Sequence, residues 1–144
     1  MKTLLTAIVL VAALTALPAA AQSTIVVNVP FDFYAADKLL PAGEYTLAPL
    51  SDSKVNITLL RAVGSGKMVA VADHPRGNHA KRNEKTRVVF NKYPGEKYFL
   101  SQTWVEDEPL GRELIKTKRE RQSVTSILLT GRKAETVTIL ASVR

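Results

Sequence analysis

No cysteine occurs among the 144 residues, and that absence removes several classes of protein at once. Disulfides are excluded, as are a lipid-modified cysteine and a thiol nucleophile, so the fold must be held by its core alone. Histidine is nearly absent too, with His74 and His79 alone. No Gly-x-Ser-x-Gly elbow is present, and Gly64-Ser65-Gly66 is too short to form one. After the first 22 residues no apolar run approaches the roughly 20 residues that a membrane-crossing helix needs. An eight-stranded spanning barrel would need about 9–11 residues per strand, leaving little chain for turns. The main domain is therefore expected to be soluble and not membrane-spanning.

What is present begins with a leader. Lys2 supplies a positive start, Leu4 to Leu17 are apolar apart from Thr6 and Thr15, and Pro18 precedes Ala19-Ala20-Ala21. A charged start, an apolar stretch and a small-residue cleavage site in that order predict a secretory signal peptide over 1–21. Cleavage leaves 22–144 as a single domain, exported to the periplasm or the extracellular medium. Of the 20 Lys and Arg, 19 remain against 13 Asp and Glu, a balance of +6. Such a balance allows attraction to anionic polymers or membrane surfaces.

Alternation dominates the rest. In "TIVVNVPFDFY" Ile25, Val27, Val29, Phe31 and Phe33 share one face of a strand, with Pro30 marking an edge or bulge. Lys38 to Gly43, with Pro41 and Gly43, predicts a turn, and Tyr45 and Leu47 return inward. "KVNITLLR" predicts a third strand with Val55, Ile57 and Leu59 on one face, and "KMVAVAD" a fourth. His74 to Thr86 reads as a long exposed loop. "RVVFNKY" and "KYFLSQTWV" form a hairpin with Val88, Phe90, Tyr98 and Leu100 inward, and Phe31, Phe33, Phe90 and Trp104 are assigned to the core. "ETVTILAS" closes the domain with Val137, Ile139 and Ala141 in phase.

Between them "LGRELIKTKRERQSV" breaks the alternation and predicts a short helix from about Arg112 to Gln122, whereas "SVTSILLT" fits either its continuation or a further strand. The expected fold is all-β: a single antiparallel sandwich or small barrel of seven to eight strands with one short helix in the C-terminal half.

"VNVPFDFYAADKLLPAGEYTL", "RAVGSGKM", "KYFLSQTWV" and "GRELIKTKRER" together resemble a group of small exported bacterial β-proteins of uncharacterised function. The resemblance covers most of the main domain and implies a shared fold and export, with no catalytic residue. "LPAGEYTL" alone is similar to a turn-and-strand of prealbumin-like surface domains, without the further Gly-Tyr element those domains carry.

Candidate chemistry is sparse. His74 and His79, beside Arg76, Lys81 and Arg82, do not supply the three or four fixed ligands of a metal site, so neither metal nor cofactor is expected. Glu106, Asp107 and Glu108 read as a solvated loop rather than a carboxylate pair across a cleft. Arg112, Lys116, Lys118, Arg119 and Arg121 are the candidate site, five cations within ten residues against Glu113 and Glu120. On a helix they would meet an anionic polymer or lipid surface. Nucleic acid is not expected, since no aromatic platform is interleaved with them.

The expected function is a non-enzymatic binding or structural module of the bacterial envelope, with partner or ligand unspecified. Alternatives are a small β-barrel carrying an apolar ligand, an anionic-surface-associating protein using the basic helix, and an unrecognised hydrolase.

Overall fold

The computed structural model describes residues 23–50, 55–77 and 84–144. The leader lies outside the described residues, as do His79, Lys81 and Arg82 of the expected loop.

Among the described residues the chain is mostly β with a single helix, as its alternation requires. Strand β1 (Ile25–Val29) ends at Pro30, which cannot donate to a ladder. Strand β2 (Phe33–Ala35) then pairs with β3 (Lys38–Leu40) through a two-residue turn at Ala36 and Asp37, both left-handed at φ 47° and 62°. The turn thus precedes the expected Lys38–Gly43, and four of those residues, Lys38, Leu39, Leu40 and Gly43, are strand. Asp32 Oδ1 accepts from the Ala42 amide at 2.9 Å and the Tyr45 hydroxyl donates to the Pro41 carbonyl at 2.6 Å, fixing the return into β4 (Gly43–Pro49).

Strands β5 (Ile57–Ala62) and β6 (Met68–Arg76) follow, then β7 (Arg87–Tyr93), β8 (Lys97–Trp104) and β9 (Gly111–Leu114). After helix α1 (Lys118–Thr130) come β10 (Glu135–Leu140) and β11 (Ser142–Val143). The eleven strands form one open mixed sheet, nine of them in the order β10-β7-β8-β9-β6-β5-β4-β1-β11, with β2 and β3 off this path. All these neighbours are antiparallel; β2 adds to β8 in parallel, with Phe33 opposite Tyr98 and Tyr34 opposite Phe99. The two end strands are separated in sequence by Ala141 alone. One run of chain therefore lies against β7 at its start and β1 at its end, and the sheet wraps around its main core.

That core holds Ile25, Val27, Val29, Phe33, Tyr45, Leu47, Leu60, Val88, Phe90 and Leu100, all buried. Phe33 meets Tyr45 and Phe90 edge-on, and Phe31 stacks on Tyr98 at 3.9 Å. Val137, Ile139 and Ala141 pack onto it from the closing segment.

Several expectations are corrected. The described residues form eleven strands rather than seven or eight because Pro30 and Ala141 each divide a predicted strand, and the segments expected as turn and as helix start contribute the short strands β3 and β9. In β5 the inward residues are Thr58 and Leu60, the opposite phase to Ile57 and Leu59. The exposed loop predicted from His74 begins later, since β6 continues to Arg76 and pairs with β9. Trp104 is buried but lies outside the main core cluster. The helix spans Lys118–Thr130, not Arg112–Gln122, so "SVTSILLT" is helical. Residues 111–114 are drawn into the sheet between β6 and β8 instead.

Candidate functional site

Helix α1 begins at Thr117, whose extended backbone and hydroxyl, accepting from the Glu120 amide at 3.4 Å, form an N-cap. Gly131, left-handed at φ 64°, ends it. Glu120, Val124 and Ile127 are spaced to share one face, and that face sits on the outside of β7 and β8. Beneath it lie Tyr93 and Phe99, edge-on at 5.5 Å, with Tyr34 stacked on Phe99 at 4.8 Å. Glu120 is buried there, its Oε1 accepting from Asn91 Nδ2 at 2.9 Å and from the Tyr93 hydroxyl at 3.0 Å. Burial, and secondarily the negative charge of Glu120, raises the Tyr93 hydroxyl well above the ordinary tyrosine range.

This docking leaves a cleft of about 550 Å³ between the first half of α1, the β2–β3 turn and the β7–β8 turn. Its charged lining is Lys97, Lys118 and Arg119 against Asp37. Asp37 is already engaged, its Oδ1 accepting from the Arg119 amide at 3.3 Å. The Arg119 guanidinium stands 5.1 Å over the Tyr34 ring. Among the described residues none of the three cations is in an ion pair. Gln122, Ser123 and Ser126 add neutral hydrogen-bonding groups along the helix side of the cleft.

A second cleft of about 480 Å³ lies across Tyr93 and Pro94, with Lys92, Arg132 and Lys133 facing Glu96 and Glu135. There one of the three cations is already paired. Glu96 accepts from the Tyr98 hydroxyl at 2.8 Å and pairs with Lys92 at 3.1 Å. Tyr98 first and then Lys92 hold the Glu96 carboxyl below its usual range, and Glu96 in turn raises Lys92. The first cleft has the larger excess of positive charge, three cations against one acid compared with three against two.

Of the five cations expected to act together, two line this cleft. Lys118 and Arg119 do so. Arg121 is exposed and donates to the Lys116 carbonyl at 2.7 Å, while Lys116 itself precedes the helix and is exposed. Arg112 belongs to β9 and points to the same side as the core residue Leu114. There it donates to Asp73 Oδ1 at 3.1 Å, and Asp73 Oδ2 also accepts from the Thr58 hydroxyl at 2.7 Å. Lys97 escapes sequence reasoning because it reaches the helix only through the docking of α1 on β7 and β8, a contact between distant segments.

The other expected loci stay apart from this cleft. Glu113 interacts with Arg76 and stands 3.6 Å from His74 on the outer face. Among the described residues no three His, Asp or Glu side chains are grouped to hold a metal. Glu106, Asp107 and Glu108 lie in the exposed β8–β9 connection. No protein-family model, curated protein or solved structure matches the chain.

Proposed function

We propose that this protein is an exported, non-enzymatic β-domain that acts as a binding module in the bacterial envelope, and that its ligand is anionic. The observation that carries the reading is the cleft under α1, where Lys97, Lys118 and Arg119 meet with Asp37 as the sole facing acid. Cations unpaired with acids and ringed by hydroxyl and amide groups offer charge-assisted hydrogen bonds to phosphate, sulfate or carboxylate. The leader-like sequence and the resemblance to exported bacterial β-proteins support the location.

The apolar-carrier alternative has less support. The centre of the sheet is occupied by interlocked rings, Phe31, Phe33, Tyr45, Phe90 and Tyr98, and the two clefts described are lined largely by charged and polar side chains.

The test is retention on immobilised dextran sulfate as salt is raised, comparing the protein with a Lys97→Glu/Lys118→Glu variant. Screening weakens exposed charge contacts, so retention should fall with salt, and the variant should elute at clearly lower salt. Equal elution of the two proteins would refute the assignment of the cleft. The mass of protein recovered from an expressing bacterium tests export: a chain of Gln22–Arg144 is expected, and an uncleaved chain would overturn it.

A further inference from the structure

Leu128 and Leu129 are 79% and 83% exposed, more than any other large apolar residue described. They follow Ile127, which is buried against Tyr93 and Phe99, so the helix turns one apolar residue inward and two outward at the same level. Nothing in the packing of α1 on the sheet uses them.

Their helical neighbours give them a context. With 3.6 residues per turn, Lys118, Gln122, Thr125 and Leu129 form one stripe, and Arg121, Thr125 and Leu128 the adjoining one. The buried stripe of Glu120, Val124 and Ile127 is on the opposite side. The outer surface of α1 is therefore a single strip, cationic where the helix starts and apolar where it ends. Arg132 and Lys133 come directly after the Gly131 cap, so the leucine pair has cations on both sides along the chain.

We propose that this outer strip of α1 lies flat on the anionic surface of a phospholipid bilayer. Leu128 and Leu129 enter the boundary of the acyl layer, while Lys118, Arg121, Arg132 and Lys133 meet headgroup phosphates. The inference rests on the anionic-ligand reading above and names the source of the anion.

Charge complementarity selects this occupant. A soluble polyanion would satisfy the cations but give the leucines no apolar environment. A second copy of the strip would bury the leucines but set Lys118 and Arg121 against like charges. A bilayer rich in anionic lipid supplies both surfaces in one plane, as interfacial amphipathic helices require. At about 1.5 Å per residue the helix is far too short to cross, so the contact is superficial. Lys118 and Gln122 belong both to the strip and to the cationic cleft, which places that cleft at the headgroup level.

The experiment is cosedimentation of the exported protein with vesicles of phosphatidylglycerol and phosphatidylcholine, or of phosphatidylcholine alone. It is run beside dextran sulfate retention and a sedimentation measurement of oligomeric state. A Leu128→Ser/Leu129→Ser variant, altered only at exposed positions, should bind the anionic vesicles about tenfold or more weakly and keep its dextran sulfate retention. A Lys118→Glu/Arg121→Glu variant should lose both. Unchanged vesicle binding by the leucine variant would overturn the bilayer inference and leave the anionic-ligand reading intact. So would wild-type protein that is retained on dextran sulfate but ignores the vesicles. A dimer abolished by the leucine substitutions would assign the strip to self-association instead. Binding to neither anionic surface would sink both readings.

Discussion

Tyr93 on β7 donates its hydroxyl to Glu120 on α1 over 3.0 Å, with both side chains buried. The same carboxylate oxygen takes a second bond from Asn91 at 2.9 Å. The helix offers little apolar surface to the sheet, chiefly Val124 and Ile127, so this polar contact has a large share in seating it. Glu120→Ala would strand the Asn91 amide and the Tyr93 hydroxyl, and should cost about 2–3 kcal/mol in urea denaturation. Glu120→Gln keeps an acceptor and should cost about half as much. A Glu120→Ala protein as stable as wild type would mean that the helix is held elsewhere.

The same contact sets an alkaline limit. Tyrosine is neutral below its pKa, and the folded Tyr93 value lies above the ordinary 10.0 because of burial and then Glu120. Its contribution to stability is thus complete below about pH 10 and is lost as pH rises towards the folded value. Tyr45 is shifted the same way, by burial and then by Asp32. Of the four tyrosines, Tyr93 and Tyr45 should stay protonated until the domain unfolds. The last of the phenolate absorbance should therefore appear together with loss of far-ultraviolet dichroism. Complete phenolate absorbance in a still-folded protein would contradict this.

How far such features were legible varies with their range in sequence. Ile25, Val27, Val29, Phe33, Tyr45 and Leu47 follow from period-2 alternation, because each strand carries its own signal. The phase of β5 did not, since of the adjacent Leu59 and Leu60 it is Leu60 that joins the core, with Thr58 on the same side bonded to Asp73 of the neighbouring strand. Gly111 to Leu114 looks helical alone and becomes strand because β6 and β8 hold it from both sides. Composition located the cations at Lys118 and Arg119, but Lys97 and Asp37 join them through tertiary pairing, which no local pattern encodes.

Arg112 provides the sharpest test of that difference. Its partner Asp73 has a fully buried side chain, while Arg112 itself is 36% exposed. Arg112→Met should cost about 2 kcal/mol, less than a wholly buried pair because solvent already screens the guanidinium. Asp73→Ala should cost about 3 kcal/mol, as it also strands the Thr58 hydroxyl. A double-mutant cycle should show the two sites to be coupled. Arg112→Met should leave dextran sulfate retention unchanged, unlike substitution of Lys118. Loss of retention at Arg112 would return this residue to the binding surface.

Gly111 and Trp104 make the tightest backbone-to-ring approach described for any glycine here. A Cβ at Gly111 would fall 2.5 Å from Trp104 Cε3 and 2.7 Å from Cδ2 and Cζ3, closer than real Cβ contacts permit. The ring has little room to yield, with Nε1 donating to Gln102 at 3.0 Å and the Arg87 guanidinium 5.2 Å from its centre. Relief must come from moving β9, which would disturb its pairing with β6 and β8. Gly111→Ala should therefore cost about 1–3 kcal/mol, the usual range for overpacking. Trp104 is the sole tryptophan, so its fluorescence reports the displacement directly and should shift to the red. Gly64→Ala is the control, as a Cβ there meets nothing within 4 Å and the change should stay within about 0.5 kcal/mol. Equal stability and unshifted fluorescence in the two variants would show that β9 can slide off the ring freely, and that its residues, Arg112 included, are not held in place by this contact.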